Sequence, residues 1–253
     1  MILFSNIASW IQFRDTLGQK TLGFVPTMGH LHEGHLSLLR RSMEENDETL
    51  LSIFVNPIQF NDEEDFKQYP RTLSQDKELA ESLKVSYLLL PSVEELYPPE
   101  DTFRIQESLL STDLEGRFRP GHFHGMLTVV MKLLNIVNPH RAYFGEKDYE
   151  QLQLVKAMVR AFFMKTEIIG CKTLRHSDGL AMSSRNTRLS PEERIQAAFF
   201  PTLLNHPHWS DHQIKEALEA EGFQVDYIET RGNRRLGAVT LGKVRLIDNV
   251  CIS

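Results

Sequence analysis

The chain has 253 residues, of which 41% are hydrophobic and 25% charged, and its formal net charge is −6 at pH 7. These values are typical of a globular protein with one large domain or two modest ones. The negative charge excludes a broad basic surface for nucleic acid, and no apolar run is long enough to span a bilayer. We therefore expect neither nucleic acid nor a membrane as a partner. The N-terminus lacks a secretory pattern and only two cysteines occur, so a reducing, cytoplasmic location is expected.

Apolar segments alternate with helical patterns from residue 21 to about residue 172. Strands are predicted at 22–27, 49–55, 85–91, 141–145 and 166–174. Helices are predicted at 35–45, 74–83, 123–137 and 149–163. Nearly continuous apolar strands separated by helices indicate a parallel sheet covered on both faces. The sequence therefore predicts an α/β fold, in which ligands bind at the carboxyl ends of the strands.

The pattern changes after about residue 174. Ser190 is a plausible N-cap followed by proline, which predicts one helix, and residues 211–221 predict another. Residues 223–231 and 238–250 read as two strands of a small sheet. We therefore expect an N-terminal domain of residues 1–173 and a smaller α+β domain of residues 174–253.

The most informative segment is FVPTMGHLHEGH, residues 24–35. A strand that leads through a tight turn at Gly29 into a helix directs backbone N–H groups and the positive helix end toward the sheet edge, where phosphate binds. Gly34 permits close approach of a ligand, and His32 and His35 can donate hydrogen bonds to phosphoryl oxygens. A helix with solvated histidines is the alternative, but the strand–turn–helix context favours phosphate binding.

A second segment, FVNPIQF at 54–60, follows the next buried strand. The side-chain amides of Asn56 and Gln59 each offer a donor and an acceptor. Such groups suit a hydroxy acid whose carboxylate must be held without being neutralised. A polar turn that uses Asn-Pro is an equally good interpretation of this segment alone.

A third segment, FGEKDYEQLQL at 144–154, combines charged and amide side chains. Lys147 can contact phosphate, and Asp148 can accept from a ribose or hold Mg²⁺ through water. Gln151 lies one helical turn beyond Lys147. An ordinary helix surface with mixed charges is the alternative.

Two loops contain further basic side chains. EGRFRPGHFHG at 115–125 is consistent with an anion site or with a solvated loop, and we weigh the two evenly. RHSDGLAMSSRNTRLS at 175–190 offers Ser183, Ser184 and Arg185 as a phosphate clamp that can close. A disordered linker is the alternative there, although Leu180 and Met182 are unusual in linkers.

Six segments occur in the order and spacing of one known family: PTMG-x-LHEGH, FVNP-x-QF, YPRT, RPGHF, FGEKDY-x-Q and DGLAMSSRN. Over nearly its whole length the chain resembles the pantoate–β-alanine ligase (pantothenate synthetase) family. This family belongs to the nucleotidyltransferase superfamily with a HIGH signature. The resemblance implies a Rossmann-like ATP- and pantoate-binding domain (1–173), a small C-terminal lid domain (174–253) and a homodimer.

The resemblance also implies the reaction, in which ATP, pantoate and β-alanine yield pantothenate, AMP and pyrophosphate through a pantoyl adenylate, with Mg²⁺. It implies catalytic roles for His32, His35 and Lys147. It also places Gln59, Gln151 and Asn56 in the substrate site. Asp76 matches a carboxylate near magnesium. The implied ATP-binding residues are Met28, Gly29, His30, Leu31, His32, Glu33, Gly34, His35, Gly145, Glu146, Lys147, Asp148, Leu174, Met182, Ser183, Ser184 and Arg185.

Three alternatives to a ligase remain at this point. The first is a nucleotidylyltransferase that leaves the nucleotide on its product, against which the two glutamines and the MSSRN segment weigh. The second is a metal site formed by His30, His32, Glu33 and His35, which lacks the H-E-x-x-H spacing of zinc hydrolases. The third is a sensor that binds ATP without turnover, which sequence does not exclude.

Overall fold

The computed structural model describes residues 1–252, which divide into two compact units. The first unit comprises Met1–Glu146 and Glu150–Cys171. The second comprises Lys147–Tyr149 and the chain from Lys172 onward. Over residues 1–252, none of the helices combines the length and the apolar character that crossing a membrane requires.

The first unit is a parallel sheet with helices. Its strands are β1 (Ile2–Phe4), β2 (Leu22–Thr27), β3 (Glu48–Ile53), β4 (Tyr87–Leu89), β5 (Arg141–Gly145) and β6 (Glu167–Cys171). Its helices are α1 (Ile7–Arg14), α2 (Glu33–Glu45), α3 (Glu63–Gln68), α4 (Leu73–Ser82), α5 (Val93–Leu96), α6 (Glu115–Phe118), α7 (His122–Val137) and α8 (Tyr149–Ala161). The strand order is β1-β4-β3-β2-β5-β6, and every pair is parallel. The predicted α/β fold class is confirmed.

The central strands are apolar on both faces because both faces are covered. Phe24 and Leu50 belong to a core on one side of the sheet, which α7 and α8 complete. The next residues along the two strands, Val25 and Leu51, belong to a second core on the other side, which α2 and α4 complete. Since successive strand residues point to opposite faces, burial on both sides favours a nearly continuous apolar run.

The sheet has a topological switch point at β2. The chain continues from β2 to β3 and then β4 on one side, and β5 pairs with the other side of β2. In open parallel sheets the crevice at the carboxyl ends of two such strands is the usual ligand site. The turn after β2 begins at this crevice.

The second unit contains the antiparallel strands β7 (Gln224–Arg231), β8 (Arg234–Leu241) and β9 (Val244–Cys251). Its helices are α9 (Pro191–Gln196), α10 (Phe199–Leu204) and α11 (Asp211–Ala220). The prediction of one strand at 238–250 is wrong, because the chain reverses at Gly242 and Lys243, where Gly242 has φ +56°. This two-residue turn has one glycine and interrupts an otherwise regular apolar alternation, so the sequence pattern hides it.

A buried arginine joins three segments of the second unit. The side chain of Arg235 in β8 donates to the backbone carbonyls of Leu204, His206 and Trp209, each at 2.8–3.0 Å. It also donates to the carboxylate of Asp211 at 3.0 Å. These bonds satisfy carbonyls at the end of α10 and fix the start of α11.

Candidate active site

The turn after β2 is held by the carboxylate of Asp76, a side chain of α4 that is only 1% exposed. Its Oδ2 accepts from the backbone N–H of His30 at 2.9 Å, and its Oδ1 accepts from that of Leu31 at 2.7 Å. The hydroxyl of Thr72 lies 3.3 Å from both oxygens. His30 has φ 52°, a conformation that costs energy in an L-residue and that these bonds stabilise. At Gly29, with φ +81°, a Cβ would lie 3.0 Å from Oδ2 of the same carboxylate, which explains the glycine.

Two histidines cap the helix that follows this turn. Nδ1 of His32 accepts from the backbone N–H of Gly34 at 3.1 Å, and Nδ1 of His35 accepts from the backbone N–H of His32 at 3.3 Å. The centroids of the two rings are 4.1 Å apart. Side chains of Ser, Thr, Asp or Asn usually fill this role. The capped helix begins at Glu33, two residues before the predicted start at His35.

The cap determines which nitrogen of each ring carries the proton. A nitrogen that accepts a hydrogen bond is unprotonated, so in each neutral ring the hydrogen is on Nε2. His32 and His35 therefore each present an Nε2–H donor beside the positive end of α2, at the carboxyl end of β2. This arrangement suits the oxygens of an anion on which charge develops.

The Asn-Pro segment after β3 forms a short 3₁₀ turn, Pro57–Gln59. The side chain of Asn56, 1% exposed, donates through Nδ2 to Oε1 of Gln59 at 2.9 Å and to the carbonyl of Gly125 at 3.2 Å. Its Oδ1 accepts from the hydroxyl of Tyr97 at 2.8 Å. Nε2 of Gln59 lies 3.2 Å from Sδ of Met28. The structure thus brings the predicted acid-binding amide against the predicted ATP turn.

Helix α7 packs directly against this 3₁₀ turn. A Cβ at Gly125 would lie 2.2 Å from the carbonyl oxygen of Ile58 and 2.8 Å from Cα of Gln59, so only glycine permits the observed approach. His122 donates through Nδ1 to the carbonyl of Gln59 at 2.7 Å, and its Nε2 lies 3.0 Å from Nη1 of Arg119. His122 belongs to the loop at 115–125, for which an anion site and a solvated surface were the two alternatives. In the structure its side chain contacts the protein backbone at Gln59.

The third predicted segment is divided between the two units. Gly145 ends β5, and Gln151 lies half-buried in the first turn of α8, both in the first unit. Lys147 groups with the second unit, where its carbonyl accepts from Nδ2 of Asn249 at 3.0 Å. The guanidinium of Arg234 stacks 4.1 Å from the ring centroid of Tyr149 in the same unit.

The serine-rich segment is an ordered turn. Ser183 caps the 3₁₀ turn Ser184–Arg188, with its hydroxyl accepting from the backbone N–H of Arg185 at 3.3 Å. The backbone N–H of Met182 donates to the carbonyl of Leu174 at 2.9 Å. Leu174 and the predicted nucleotide residues 182–185 are therefore neighbours, and the alternative of a disordered linker has no support in this geometry.

The sequence also left open a metal site near the start of α2. Within the described part of the chain, no three or more His, Cys, Asp or Glu side chains form a group that could hold a metal ion. The alternative metal site at His30, His32, Glu33 and His35 therefore finds no support.

Two residues of this site were missed by sequence reasoning. Tyr97 is 41 positions from Asn56, and nothing in its local sequence links the two. Gly125 interrupts a strongly apolar helix, which is a recognised sign of close packing and could have indicated the contact with Gln59.

The chain is similar to known proteins over nearly its whole length. The model of the family described as pantoate-beta-alanine ligase matches residues 3–251 of this chain. Pantothenate synthetase from Coxiella burnetii is 52% identical over 244 residues, which is 96% of this chain and 94% of the relative. Pantothenate synthetase from Legionella pneumophila is 50% identical over 250 residues, 98% of this chain and 99% of the relative.

Solved structures resemble the whole chain as well. The pantoate-beta-alanine ligase of Francisella tularensis, crystallised with beta-gamma ATP and beta-alanine, has a TM-score of 0.96 at 43% identity and covers 99% of this chain and 97% of its own. Pantothenate synthetase of Thermus thermophilus has a TM-score of 0.90 at 40% identity and covers 99% of both chains.

Proposed function

Because this chain belongs to the pantoate-beta-alanine ligase family, we propose that it condenses pantoate with β-alanine at the expense of ATP. A carboxylate is a poor acyl donor to an amine and must first acquire a leaving group. A carboxylate oxygen of pantoate attacks the α-phosphorus, the bond to pyrophosphate breaks, and pantoyl adenylate forms. The neutral amine of β-alanine then attacks the acyl carbon, AMP departs with the bridging oxygen, and the amine loses a proton.

The observation that carries this proposal is the paired histidine cap of α2. Two Nε2–H donors beside a helix N-terminus can stabilise charge that develops on phosphoryl oxygens during the first step. We assign this role to His32 and His35, with Lys147 as a further cation for phosphate. The turn Met28–His35, with Gly145 and Glu146, is assigned to ATP, because it follows β2 and β5 at the switch point.

We assign pantoate to Gln59 and Gln151, with Asn56 as part of the same site. Neutral amides hold a carboxylate without neutralising it, so the nucleophile keeps its reactivity. The contact between Nε2 of Gln59 and Sδ of Met28 supports a position beside the nucleotide turn. Gln151 lies in the first turn of α8, the helix that follows β5, and β5 is the strand beside β2.

We assign Asp148, Leu174, Met182, Ser183, Ser184 and Arg185 to ATP as well. The bond between Met182 and Leu174 and the cap at Ser183 support treating the last five as one group. In this proposal residues 1–173 form the catalytic domain, and residues 174–253 form the lid.

Mg²⁺ enters the proposal with ATP, as part of the substrate. Asp76 is a poor fit for a direct ligand, because its two oxygens already accept from the backbone N–H groups of His30 and Leu31. Mg²⁺ at nucleotide sites is commonly held by phosphates and water with few protein ligands. A position of Asp76 near the metal stays a prediction.

Location and assembly complete the proposal. We place the enzyme in the cytoplasm, a reducing compartment that suits the free thiols of Cys171 and Cys251. We propose a homodimer, which gel filtration with light scattering tests directly.

Isotope transfer tests the reaction sharply. With ¹⁸O in the pantoate carboxylate, AMP should carry one ¹⁸O per turnover, and both AMP and pyrophosphate should depend on pantoate. Pantothenate should form only when β-alanine is added. Formation of ADP, or a product that retains the nucleotide when β-alanine is present, would refute the ligase. Binding of ATP without turnover would identify a sensor instead.

A further inference from the structure

We propose that Tyr97 and Asn56 are positioning residues, which orient the side-chain amide of Gln59 so that its NH₂ group, and not its carbonyl oxygen, faces pantoate. The inference rests on the proposed role of Gln59 in binding pantoate. It adds a residue, Tyr97, that has no contact with substrate in this scheme and acts through two neighbours.

The polarity of this chain of hydrogen bonds is set at Gly125. A backbone carbonyl can only accept, so the Asn56 atom that lies 3.2 Å from the Gly125 carbonyl must be the amide nitrogen. The other end of the Asn56 amide is then the oxygen, which faces the hydroxyl of Tyr97 at 2.8 Å. The hydroxyl therefore donates.

The same reasoning fixes Gln59. The amide nitrogen of Asn56 also lies 2.9 Å from Gln59, and the Gln59 atom that it meets must accept, so it is Oε1. Nε2 of Gln59 then points the other way, toward the weak acceptor Sδ of Met28 at 3.2 Å. An NH₂ group has two hydrogens, and the contact with sulfur uses one of them. The second is left for a ligand.

The backbone of Gln59 is fixed independently. Its carbonyl accepts from Nδ1 of His122 at 2.7 Å, and its Cα rests against Gly125. With the main chain held and the side chain buried, the change that the site can accommodate with least movement is a 180° rotation that exchanges the oxygen and the nitrogen of the amide. Asn56 removes that freedom.

The surroundings of Tyr97 keep its hydroxyl protonated, so that it can donate a hydrogen bond. Its ring packs 6.3 Å from that of Phe54, and the Lys132 ammonium lies 4.7 Å from its centroid. Burial raises the pKa of the phenol well above its usual value, so the hydroxyl keeps its proton at physiological pH. A phenylalanine would preserve this packing and remove only the hydrogen bond.

The orientation matters because the carboxylate of pantoate is an acceptor. An N–H from Gln59 binds such an oxygen, whereas Oε1 in the same place would repel it. The orienting residues thus favour an anionic hydroxy acid over a ligand that presents a donor.

A double-mutant cycle of Tyr97→Phe and Gln59→Ala tests this, with pantoate affinity measured by calorimetry on the full chain. We expect Tyr97→Phe to weaken pantoate binding by up to roughly tenfold, about the worth of one hydrogen bond, because Asn56 without its Tyr97 donor holds the Gln59 amide less firmly and binding must then order it. In the Gln59→Ala background the same change should have less than about twofold effect, because the amide that it orients is gone. ATP affinity should stay unchanged. Tyr143→Phe, which removes another buried hydroxyl of the first unit, is the matched control and should leave pantoate affinity unchanged.

Asn56 supplies a second comparison that does not depend on Tyr97. Asn56→Asp replaces the donor to Gln59 by an acceptor and should turn the amide around, so it should weaken pantoate binding more than Asn56→Ala does. If Asn56 had a purely structural role, both variants would have a lower melting temperature, but Asn56→Asp would not bind pantoate more weakly than Asn56→Ala.

The outcomes separate the two proposals. If Gln59→Ala leaves pantoate affinity unchanged, the assignment of Gln59 fails and this inference fails with it. If Gln59→Ala weakens binding but Tyr97→Phe has no effect, or the two effects add fully, the pantoate site stands and the orienting role of Tyr97 is overturned.

Discussion

The contact between α7 and the 3₁₀ turn makes Gly125→Ala the sharpest perturbation of the proposed pantoate site. The added Cβ would lie 2.2 Å from the carbonyl oxygen of Ile58, 2.6 Å from its carbonyl carbon and 2.8 Å from Cα of Gln59. Ordinary contacts between such atoms are about 3.5 Å, so the turn or the helix must move by about 1 Å. Both neighbours are backbone, and no side-chain rotation relieves the clash.

Two opposing terms determine the effect of Gly125→Ala on stability. Alanine in a helix interior is more favourable than glycine by about 1 kcal/mol. Overpacking of a close contact costs about 1–3 kcal/mol. The net loss of stability is therefore small, up to about 2 kcal/mol, and the enzyme should fold. Activity should fall much further, because a displacement of about 1 Å at a binding group can cost about 10²-fold in rate.

Steady-state kinetics with varied pantoate, alongside calorimetry with ATP, checks this expectation. The matched control is Gly23→Ala, whose Cβ would lie 2.1 Å from Oγ of Ser42 near the amino end of β2. The control should lose stability and keep its KM for pantoate. Wild-type kinetics for Gly125→Ala would refute the argument that this close approach positions Gln59.

Three further expectations follow from the other contacts. His35→Ala should lower the single-turnover rate of adenylate formation by about 10²–10³ while ATP affinity changes less; an unchanged rate would remove His35 from the chemistry. Asp76→Asn places an NH₂ group against a backbone N–H and should destabilise the turn by about 1–3 kcal/mol. Calorimetry should show weaker ATP binding, and an ATP affinity equal to that of the wild type would show that the turn does not depend on Asp76. Arg235→Lys cannot reproduce the planar set of donors and should cost the second unit about 2–4 kcal/mol in urea unfolding, whereas a loss below about 0.5 kcal/mol would contradict the role described for Arg235.

The sequence predicted five of the six strands of the parallel sheet, because burial on both faces leaves a strong local signal, and it missed the three-residue β1. The runs around Phe24 and Leu50 have consecutive apolar residues that point to opposite faces, and both form strands. The hairpin at Gly242 was missed because its turn has only two residues, Gly242 and Lys243, and a single glycine is a weak turn signal within an apolar alternation that resumes at Val244. The start of α2 was placed late because histidine is an uncommon cap and gives little signal.

The sequence predicted individual segments of the candidate site, but it did not predict the hydrogen bonds that join them. The motifs identified the turn and the amides because each needs a particular residue type after a strand. The link from Tyr97 to Asn56 depends on tertiary packing between residues 41 positions apart, and no local pattern encodes it. The same holds for Asp76, whose sequence match suggested a metal, whereas its observed partners are backbone N–H groups at His30 and Leu31.

The grouping of Lys147–Tyr149 with the second unit bears on how members of this family can be recombined. A gene fusion with its junction at residue 172 would exchange the second unit without the three residues that pack with it. Arg234 would then stack on a foreign residue in place of Tyr149, and Asn249 would meet a foreign backbone at position 147. Chimeras that carry 147–149 together with the C-terminal part should therefore be expressed and remain stable more often than those that use the single junction.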